Sequence, residues 1–257
     1  MSLKVRAFTA GWLTMPLGSL LEGERGRLKV PVPCWLIEHP KGRVLFDSGM
    51  HPAMRDDAAA RVGAAAKYFT VHYEPGEEIG AQLAREGVDP AGIDVLVNSH
   101  LHFDHAGGNA QIPNARLVVQ RREWEAAHGE GLADGGAYAP ADYDHGHDLQ
   151  LADGEHDVFG DGSVVCVPTY GHTAGHQSLR LKLRSGYACL CGDACYLKRT
   201  LDEMRLPAVH HDREQMRASL LRLRAMRDAG TAMYYGHDPQ AWASVPRAPA
   251  FVEGGDG

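Results

Sequence analysis

The feature that most constrains this chain is a run of six residues, His100-Leu101-His102-Phe103-Asp104-His105, in which four side chains can bind a metal ion. The run directly follows an apolar, β-like segment, residues 93–98. A strand end gives the loop a rigid start, so alternating histidines can converge on one ion while the last two ligands turn to a second. Four ligands in six residues fit poorly around one tetrahedral ion that also takes remote ligands. The motif therefore predicts two metal ions.

Three later positions are candidates to complete this site: His172, Asp193 and His237. Each follows a β-like or apolar run and a glycine. That shared context predicts that all three lie in loops at strand ends, where a rigid scaffold directs loop side chains into a common cleft. Each signal is weak when taken singly, and its weight comes from the six-residue motif.

Composition narrows the class of protein. The chain has 257 residues, 44% of them hydrophobic, and we interpret it as a single domain, 1–257, with a disordered tail over residues 253–257. A net charge of −7 disfavours nucleic-acid binding. No segment approaches the roughly 20 apolar residues of a membrane span, and the N-terminus does not resemble a secretion signal. Five cysteines without Cys-x-x-Cys spacing favour reduced, buried thiols and a cytoplasmic location.

Short runs of β-forming residues alternate with helical patterns, which predicts sheets covered by helices. The expected strands are Val30–Glu38, Arg43–Phe46, Ile93–Ser99, Arg116–Gln120, Ser163–Val167, Ser178–Leu183 and Tyr187–Cys191. The expected helices are Glu77–Glu86, Arg122–His128 and Arg213–Ala229. The histidine-rich stretch from Tyr138 to His156 is predicted to be a long loop, and its His145-Gly146-His147-Asp148 segment a solvated one.

The order H-x-H-x-D-H, then His, then Asp, then His resembles the metallo-β-lactamase superfamily. Within it, the chain is similar to the N-acyl homoserine lactonases in three segments: Phe46–Met50, Ser99–Asn109 and Gly171–Leu179. The similarity extends from about Ala10 to His237. It implies an α+β protein with the metallo-β-lactamase fold, a four-layer αββα sandwich that carries its metal site at one edge of the sheets.

The resemblance also implies a ligand set for two divalent metal ions, with zinc as the default. His100, His102 and His172 would hold the first ion, Asp104, His105 and His237 the second, and Asp193 would bridge both. Asp47 would support the metal-binding loop from behind, since ligating imidazoles usually donate their other N–H to a carboxylate or carbonyl. His176 is expected to pack or hydrogen-bond near His172 rather than bind metal.

The activity implied by the resemblance is opening of the lactone ring of N-acyl homoserine lactones by a hydroxide that bridges the metals. Tyr196 would stabilise the oxyanion by a hydrogen bond, and Asp104 would return a proton to the leaving oxygen. Phe103 and Met15 are candidate walls for the acyl chain. The expected partner is a small-molecule lactone, with no nucleic acid or membrane, and the protein would be a monomer or homodimer.

Other readings stay open at this stage. Another hydrolase on the same scaffold would act on a thioester, a phosphodiester, an ester or a different lactone. An iron-dependent redox module is a further alternative, although flavin-partnered relatives carry a carboxylate where this chain has His102. A binding protein that has lost catalysis is disfavoured by the complete ligand set.

Overall fold

Strands and helices alternate along the computed structural model, which describes residues 3–129 and 138–252. In chain order the elements are β1 (Lys4–Pro16), α1 (Leu17–Leu20), β2 (Arg27–His39), β3 (Gly42–Phe46), α2 (Ala58–Val62), β4 (Thr70–His72), α3 (Ile79–Arg85), β5 (Val95–Val97), α4 (Phe103–Ala106), β6 (Arg116–Gln120), α5 (Arg121–His128), α6 (Pro140–Tyr143), β7 (Leu149–Ala152), β8 (His156–Asp157), β9 (Val164–Pro168), β10 (Gln177–Leu183), β11 (Gly186–Leu190), α7 (Lys198–Glu203), α8 (Arg213–Asp228), β12 (Ala232–Tyr234) and α9 (Pro239–Ala243).

The strands form two sheets. The larger has the order β4-β1-β2-β3-β5-β6-β7, antiparallel from β1 to β3 and parallel from β3 to β7. The smaller has the order β12-β11-β10-β9-β8, antiparallel except for the parallel pair of β11 and β12. In the smaller sheet, β9, β11 and β12 therefore run in the same direction.

Alternating side chains of each strand divide between two cores, because successive residues of a strand point to opposite faces. Val44 and Phe46 of β3 pack in the core between the two sheets, whereas Leu45 packs against the helices outside the larger sheet. On the far side of the smaller sheet, Cys189 packs in the same cluster as Leu220 of α8. These layers confirm the predicted αββα sandwich.

Helix α8 shows how the sequence specifies one of the outer layers. Asp212 caps it by accepting hydrogen bonds from the backbone N–H groups of Glu214 and Gln215 at 2.9 and 3.0 Å. Met216, Leu220 and Leu223 are buried at helical spacing against the smaller sheet. Replacement of such a cap by alanine typically costs about 1 kcal/mol.

Most of the predicted elements are present within one to three residues of their expected bounds, with Arg116–Gln120 unchanged. The expected strand Ile93–Ser99 is shorter, since only Val95–Val97 is extended and paired. The long first strand, β1, was not predicted. Its register with β2 shifts between Thr9 and Trp12, and this irregularity breaks the alternation of side chains on which a strand prediction depends.

The prediction of one long loop from Tyr138 to His156 was wrong. The stretch contains α6 and β7 and leads into β8. Strand β7 pairs in parallel with β6, with Leu149 opposite Leu117 and Leu151 opposite Val119. This pairing joins segments about 30 residues apart, and the local sequence of glycines and histidines gives no sign of it.

Three further expectations concern the cysteines, membrane-spanning segments and the C-terminal tail. All five cysteines are buried and unpaired, as predicted. In the part of the chain that the structure describes, no helix is long and apolar enough to cross a membrane. The expected disordered tail, residues 253–257, lies outside the described residues.

Candidate metal centre

The candidate ligands lie in the segments that follow four strands, with Asp104 and His105 on the short helix α4. The six-residue motif begins after β5 of the larger sheet, while His172, Asp193 and His237 come after β9, β11 and β12 of the smaller one. These strand ends meet at one edge of the sandwich, which is where loop side chains from different strands can converge. The structure brings all seven candidate ligands together there.

A first ligand group consists of His100, His102 and His172, whose ligand atoms all lie within 4.8 Å of one another. Nε2 of His172 is 3.2 Å from Nδ1 of His102. His100 and His172 are buried, and His102 is partly exposed. Three imidazole nitrogens directed at one point form the protein part of a tetrahedral metal site that keeps its fourth position open.

A second ligand group consists of Asp104, His105 and His237, again with all ligand atoms within 4.8 Å. Oδ2 of Asp104 lies 3.6 Å from Nε2 of His237 and 3.8 Å from Nε2 of His105. All three side chains are buried. Two imidazoles and one carboxylate are a further common ligand set for a catalytic metal ion.

Asp193 lies between the two ligand groups. Its Oδ2 atom faces the first group, 3.4 Å from Nε2 of His172 and 3.8 Å from Nε2 of His100. Its Oδ1 atom faces the second group, 3.1 Å from Nε2 of His237 and 3.3 Å from Nε2 of His105. One carboxylate is therefore placed to bind an ion on each side.

Unsatisfied buried atoms test whether this centre fits metal ions. Nε2 of His100, Nε2 of His105 and Oδ1 of Asp193 are buried and make no hydrogen bond of acceptable geometry among the described residues. A buried polar atom left in this way is costly unless a ligand satisfies it. All three belong to the ligand groups, so the centre fits a pair of divalent cations.

Electrostatics prepare the first group for metal binding. Burial, reinforced by neighbouring imidazoles, holds the pKa of His100 well below its ordinary value. Burial also places the pKa of His172 well below the ordinary value, although Asp193 opposes the shift. Neutral imidazoles keep the nitrogen lone pair that binds a metal ion.

The second group is dominated by its carboxylates. Burial disfavours protonation of His105, but Asp193, Asp104 and Asp47 outweigh burial and raise its pKa well above the ordinary value. Burial would raise the pKa of Asp193, yet His105 and His237 hold it well below the ordinary value. This strong local pairing marks the same site that a cation would occupy.

Outer hydrogen bonds orient the ligating rings. Nδ1 of His105 lies 2.8 Å from Oδ2 of Asp47, which also accepts from the hydroxyl of Ser99, while Oδ1 accepts from the Ser99 backbone N–H. Nδ1 of His237 lies 2.7 Å from the carbonyl oxygen of Pro31. Asp47 therefore contacts both the His105 ring and the start of the six-residue motif. The contacts of Ser99 and Pro31 were not predicted. Pro31 contributes a backbone carbonyl oxygen about 200 residues before His237, and no sequence pattern marks such an acceptor.

Tyr196 lies against both ligand groups and is 6% exposed. Its hydroxyl oxygen is 3.2 Å from Nδ1 of His172, and its ring stacks on His237 with centroids 5.6 Å apart. The backbone N–H of His237 donates to the carbonyl oxygen of Tyr196 at 2.9 Å. The position after β11 thus fixes the phenol beside the centre.

The remaining residues that the sequence singled out are not among the seven candidate ligands. Phe103 starts α4 and stacks on Phe69, with ring centroids 4.9 Å apart. Met15 lies near the end of β1, partly buried against the core outside the larger sheet. His176 binds the backbone N–H of Asp193 through Nε2 at 2.9 Å, as a supporting rather than a ligating residue. His147 contacts the carbonyl oxygen of Ile112 at 2.9 Å.

Comparisons with known proteins agree with this geometry. Residues 27–237 match the family model of the metallo-beta-lactamase superfamily. The N-acyl homoserine lactonase AttM of Azorhizobium caulinodans is 34% identical over 239 residues, which span 90% of this chain and 91% of AttM. The N-acyl homoserine lactonase AiiA of Bacillus thuringiensis subsp. kurstaki is 29% identical over 229 residues, 88% of each chain.

Two solved structures superpose on this fold with a TM-score of 0.88 at 28% identity, covering 98% of this chain and 100% of theirs. One is an N-acyl homoserine lactone hydrolase with its product, N-hexanoyl-L-homoserine, at the catalytic metal centre. The other is a variant of B. thuringiensis AiiA with N-decanoyl-L-homoserine at the active site.

The fold and the two ligand groups define a metal-dependent hydrolase. The chain belongs to the metallo-β-lactamase superfamily and, within it, to the N-acyl homoserine lactonase family.

Proposed function

We propose that this protein is a dinuclear-metal hydrolase that opens the lactone ring of N-acyl homoserine lactones. The observation that carries the proposal is the position of Asp193, with one carboxylate oxygen toward each ligand group. A pair of ions held in this way supplies hydroxide near neutral pH and polarises a carbonyl group. Similarity to proteins named as lactonases, over nine-tenths of the chain, supports lactones as the substrate class.

Asp104 is the residue placed to move protons. Its Oδ2 atom lies 3.6 Å from Nε2 of His237 and 3.8 Å from Nε2 of His105, and its side chain is 10% exposed. Ring opening leaves an alkoxide that must gain a proton. A carboxylate beside the reacting atoms takes the proton released by the attacking water and returns it to that oxygen.

Tyr196 is the residue placed to stabilise developing negative charge. Its hydroxyl lies beside His172 and its ring against His237, so the phenol is held rigidly between the two ligand groups. A hydrogen bond from this hydroxyl to the lactone carbonyl strengthens as the tetrahedral intermediate forms. Because folding already holds the Tyr196 hydroxyl in place, this donor does not have to be ordered again as the intermediate forms.

The acyl chain needs an apolar surface next to the centre. Phe103, between two ligands in sequence, stacks on Phe69 and offers such a surface, and Met15 offers another at the end of β1. One related structure holds the product N-hexanoyl-L-homoserine, and a variant of another holds N-decanoyl-L-homoserine, so ligands with acyl chains of two lengths are seen in this fold. The same tolerance is proposed here.

The remaining properties are proposed from chemistry and composition. Zinc is the proposed metal, because imidazole and carboxylate ligands in two such groups suit it well. The protein is proposed to act in the cytoplasm, since its five buried cysteines form no disulfide. It is also proposed to be a single-domain monomer or homodimer.

The test is a rate comparison on purified, zinc-reconstituted protein with N-hexanoyl- and N-decanoyl-homoserine lactone, an aryl ester and a phosphotriester. The expected result is two zinc ions per chain, faster turnover of both lactones than of the other substrates, and loss of turnover with a chelator that added zinc reverses. His100→Ala should abolish turnover, whereas His145→Ala, at an exposed position outside both ligand groups, should not. Faster turnover of the ester or phosphotriester would reject lactones as the substrate.

A further inference from the structure

Glu123, in the first turn of α5, is a buried carboxylate that the sequence patterns did not single out. Its Oε1 atom accepts hydrogen bonds from the backbone N–H of Leu101 at 3.0 Å and from the hydroxyl of Tyr138 at 2.9 Å. Its Oε2 atom accepts from the hydroxyl of Thr173 at 2.6 Å and from the backbone N–H of Gly175 at 2.9 Å. Both oxygens are thus engaged by two donors each.

The four donors belong to the segments that hold the first ligand group. Leu101 lies between His100 and His102, and Thr173 directly follows His172. Tyr138 forms an isolated bridge with His102, and the two rings lie 5.2 Å apart. One side chain therefore fastens both loops that carry these three histidines.

The His172 loop also packs closely against the start of α5 at Gly175. A Cβ atom placed on Gly175 would lie 2.2 Å from the backbone nitrogen of Glu123 and 2.7 Å from its Cα atom. Only a residue without a side chain permits this approach. The backbone of the His172 loop and the start of α5 are in direct contact. The hydrogen bonds to the Glu123 carboxylate connect the same two segments.

The negative charge of Glu123 is a second way in which this side chain can affect the metal centre. Among the described residues, its partners are two backbone N–H groups and two hydroxyls, and no lysine or arginine pairs with it. Burying a carboxylate without a counter-ion is costly, and hydrogen bonds offset only part of that cost. A divalent cation held by the first ligand group would supply a compensating positive charge.

We infer that Glu123 is a positioning residue that sets the geometry and metal affinity of the first ligand group, acting through Leu101 on one loop and through Thr173 and Gly175 on the other. The inference rests on the proposed dinuclear-metal function. Outer hydrogen-bond partners of metal ligands commonly change metal affinity by about 10- to 100-fold. Glu123 acts one step further out, on the backbone of the ligand loops, and on both loops at once.

The test compares Glu123→Gln with the unchanged protein. Glutamine keeps the volume but removes the charge and turns one acceptor atom into a donor that faces two donors. Zinc affinities of the two sites are measured by competition with a chelator of known affinity, and the cobalt-substituted protein is examined by its visible absorption spectrum. Glu125→Gln, at an exposed position on the same helix, is the matched control.

The expected result is a loss of about 10- to 100-fold in the affinity of one of the two zinc ions and a changed cobalt spectrum at that site, with the control unchanged. A residue that only fills space would be rescued by glutamine, so unchanged affinity and spectrum would overturn the inference. An equal loss at both sites would also overturn it, because it would indicate general loosening.

Two milder variants keep the inference testable if Glu123→Gln does not fold. Thr173→Val and Tyr138→Phe each remove one donor and leave the carboxylate in place, and each should weaken the same zinc ion by a smaller factor. Unchanged zinc binding in both would overturn the inference. Failure of the proposed function is a separate result: the unchanged protein would bind two zinc ions but open no lactone.

Discussion

The hydroxyl oxygen of Tyr196 lies 3.2 Å from Nδ1 of His172, while Nε2 of the same ring faces Oδ2 of Asp193 at 3.4 Å. An imidazole that binds a metal ion through one nitrogen donates a hydrogen bond from the other. His172 therefore donates to Tyr196 when a metal ion is bound, and the phenol donates its own hydrogen elsewhere. This one contact therefore orients both the imidazole of His172 and the hydroxyl group of Tyr196.

Tyr196→Phe tests the second of these functions. Phenylalanine keeps the ring that stacks on His237 but removes the donor, so kcat for N-hexanoyl-homoserine lactone should fall by about 100-fold while KM changes little. Steady-state kinetics with a zinc determination on the same sample give the answer. Full turnover by the variant would exclude the phenol from oxyanion stabilisation.

Asp193→Ala tests the bridging carboxylate. Both ligand groups lose a shared ligand, so zinc content should fall from two ions per chain to less than one at a zinc concentration that saturates the unchanged protein. Elemental mass spectrometry on desalted samples measures the content. Asp144→Asn, at an exposed position, serves as the control, and retention of two zinc ions by Asp193→Ala would refute the bridging role.

Asp47→Asn tests the support behind His105. The amide cannot accept at both of its terminal atoms. It therefore loses either the contacts that Oδ2 makes with Nδ1 of His105 and the hydroxyl of Ser99, or the contact that Oδ1 makes with the Ser99 backbone N–H. Zinc affinity should fall by about 10- to 100-fold, measured by chelator competition. If the affinities of both zinc ions match those of the unchanged protein, Asp47 does not support the centre.

Gly175→Ala tests the contact between the His172 loop and α5. The new methyl group would lie 2.2 Å from the backbone nitrogen of Glu123, and the backbone must shift to admit it. The free energy of unfolding should fall by about 1–3 kcal/mol in urea denaturation. Gly92→Ala is the control, since its Cβ would lie no closer than 3.7 Å to a neighbouring atom. Equal losses in the two variants would contradict the contact.

Much of the fold was predictable where local pattern and tertiary pairing agree. Helix α8 carries its own cap at Asp212 and its own buried stripe, and β6 is a plain run of β-forming residues. The sequence was less informative about strands that depend on pairing with a strand far away in the chain. Strand β1 bends at Gly11, whose φ of 89° suits glycine, and β7 forms only because β6 lies beside it.

The same distinction applies to the site. The dense ligands in His100–His105 predict a metal centre. His172, Asp193 and His237 are singled out by a glycine after a β-like or apolar run, and the resemblance implies their roles as ligands. Glu123 gave no such signal, because its donors at Leu101 and Gly175 lie 22 and 52 residues away and are backbone atoms. Contacts of that kind depend on the folded chain and leave no pattern of residue types.

The most direct measurement is the location of metal ions in crystals of the zinc-loaded protein by anomalous scattering at the zinc absorption edge. Two peaks are expected roughly 3.5–4 Å apart, one beside each carboxylate oxygen of Asp193. The first should be ligated by His100, His102 and His172, and the second by Asp104, His105 and His237. A single peak, or peaks away from Asp193, would contradict a dinuclear centre bridged by Asp193.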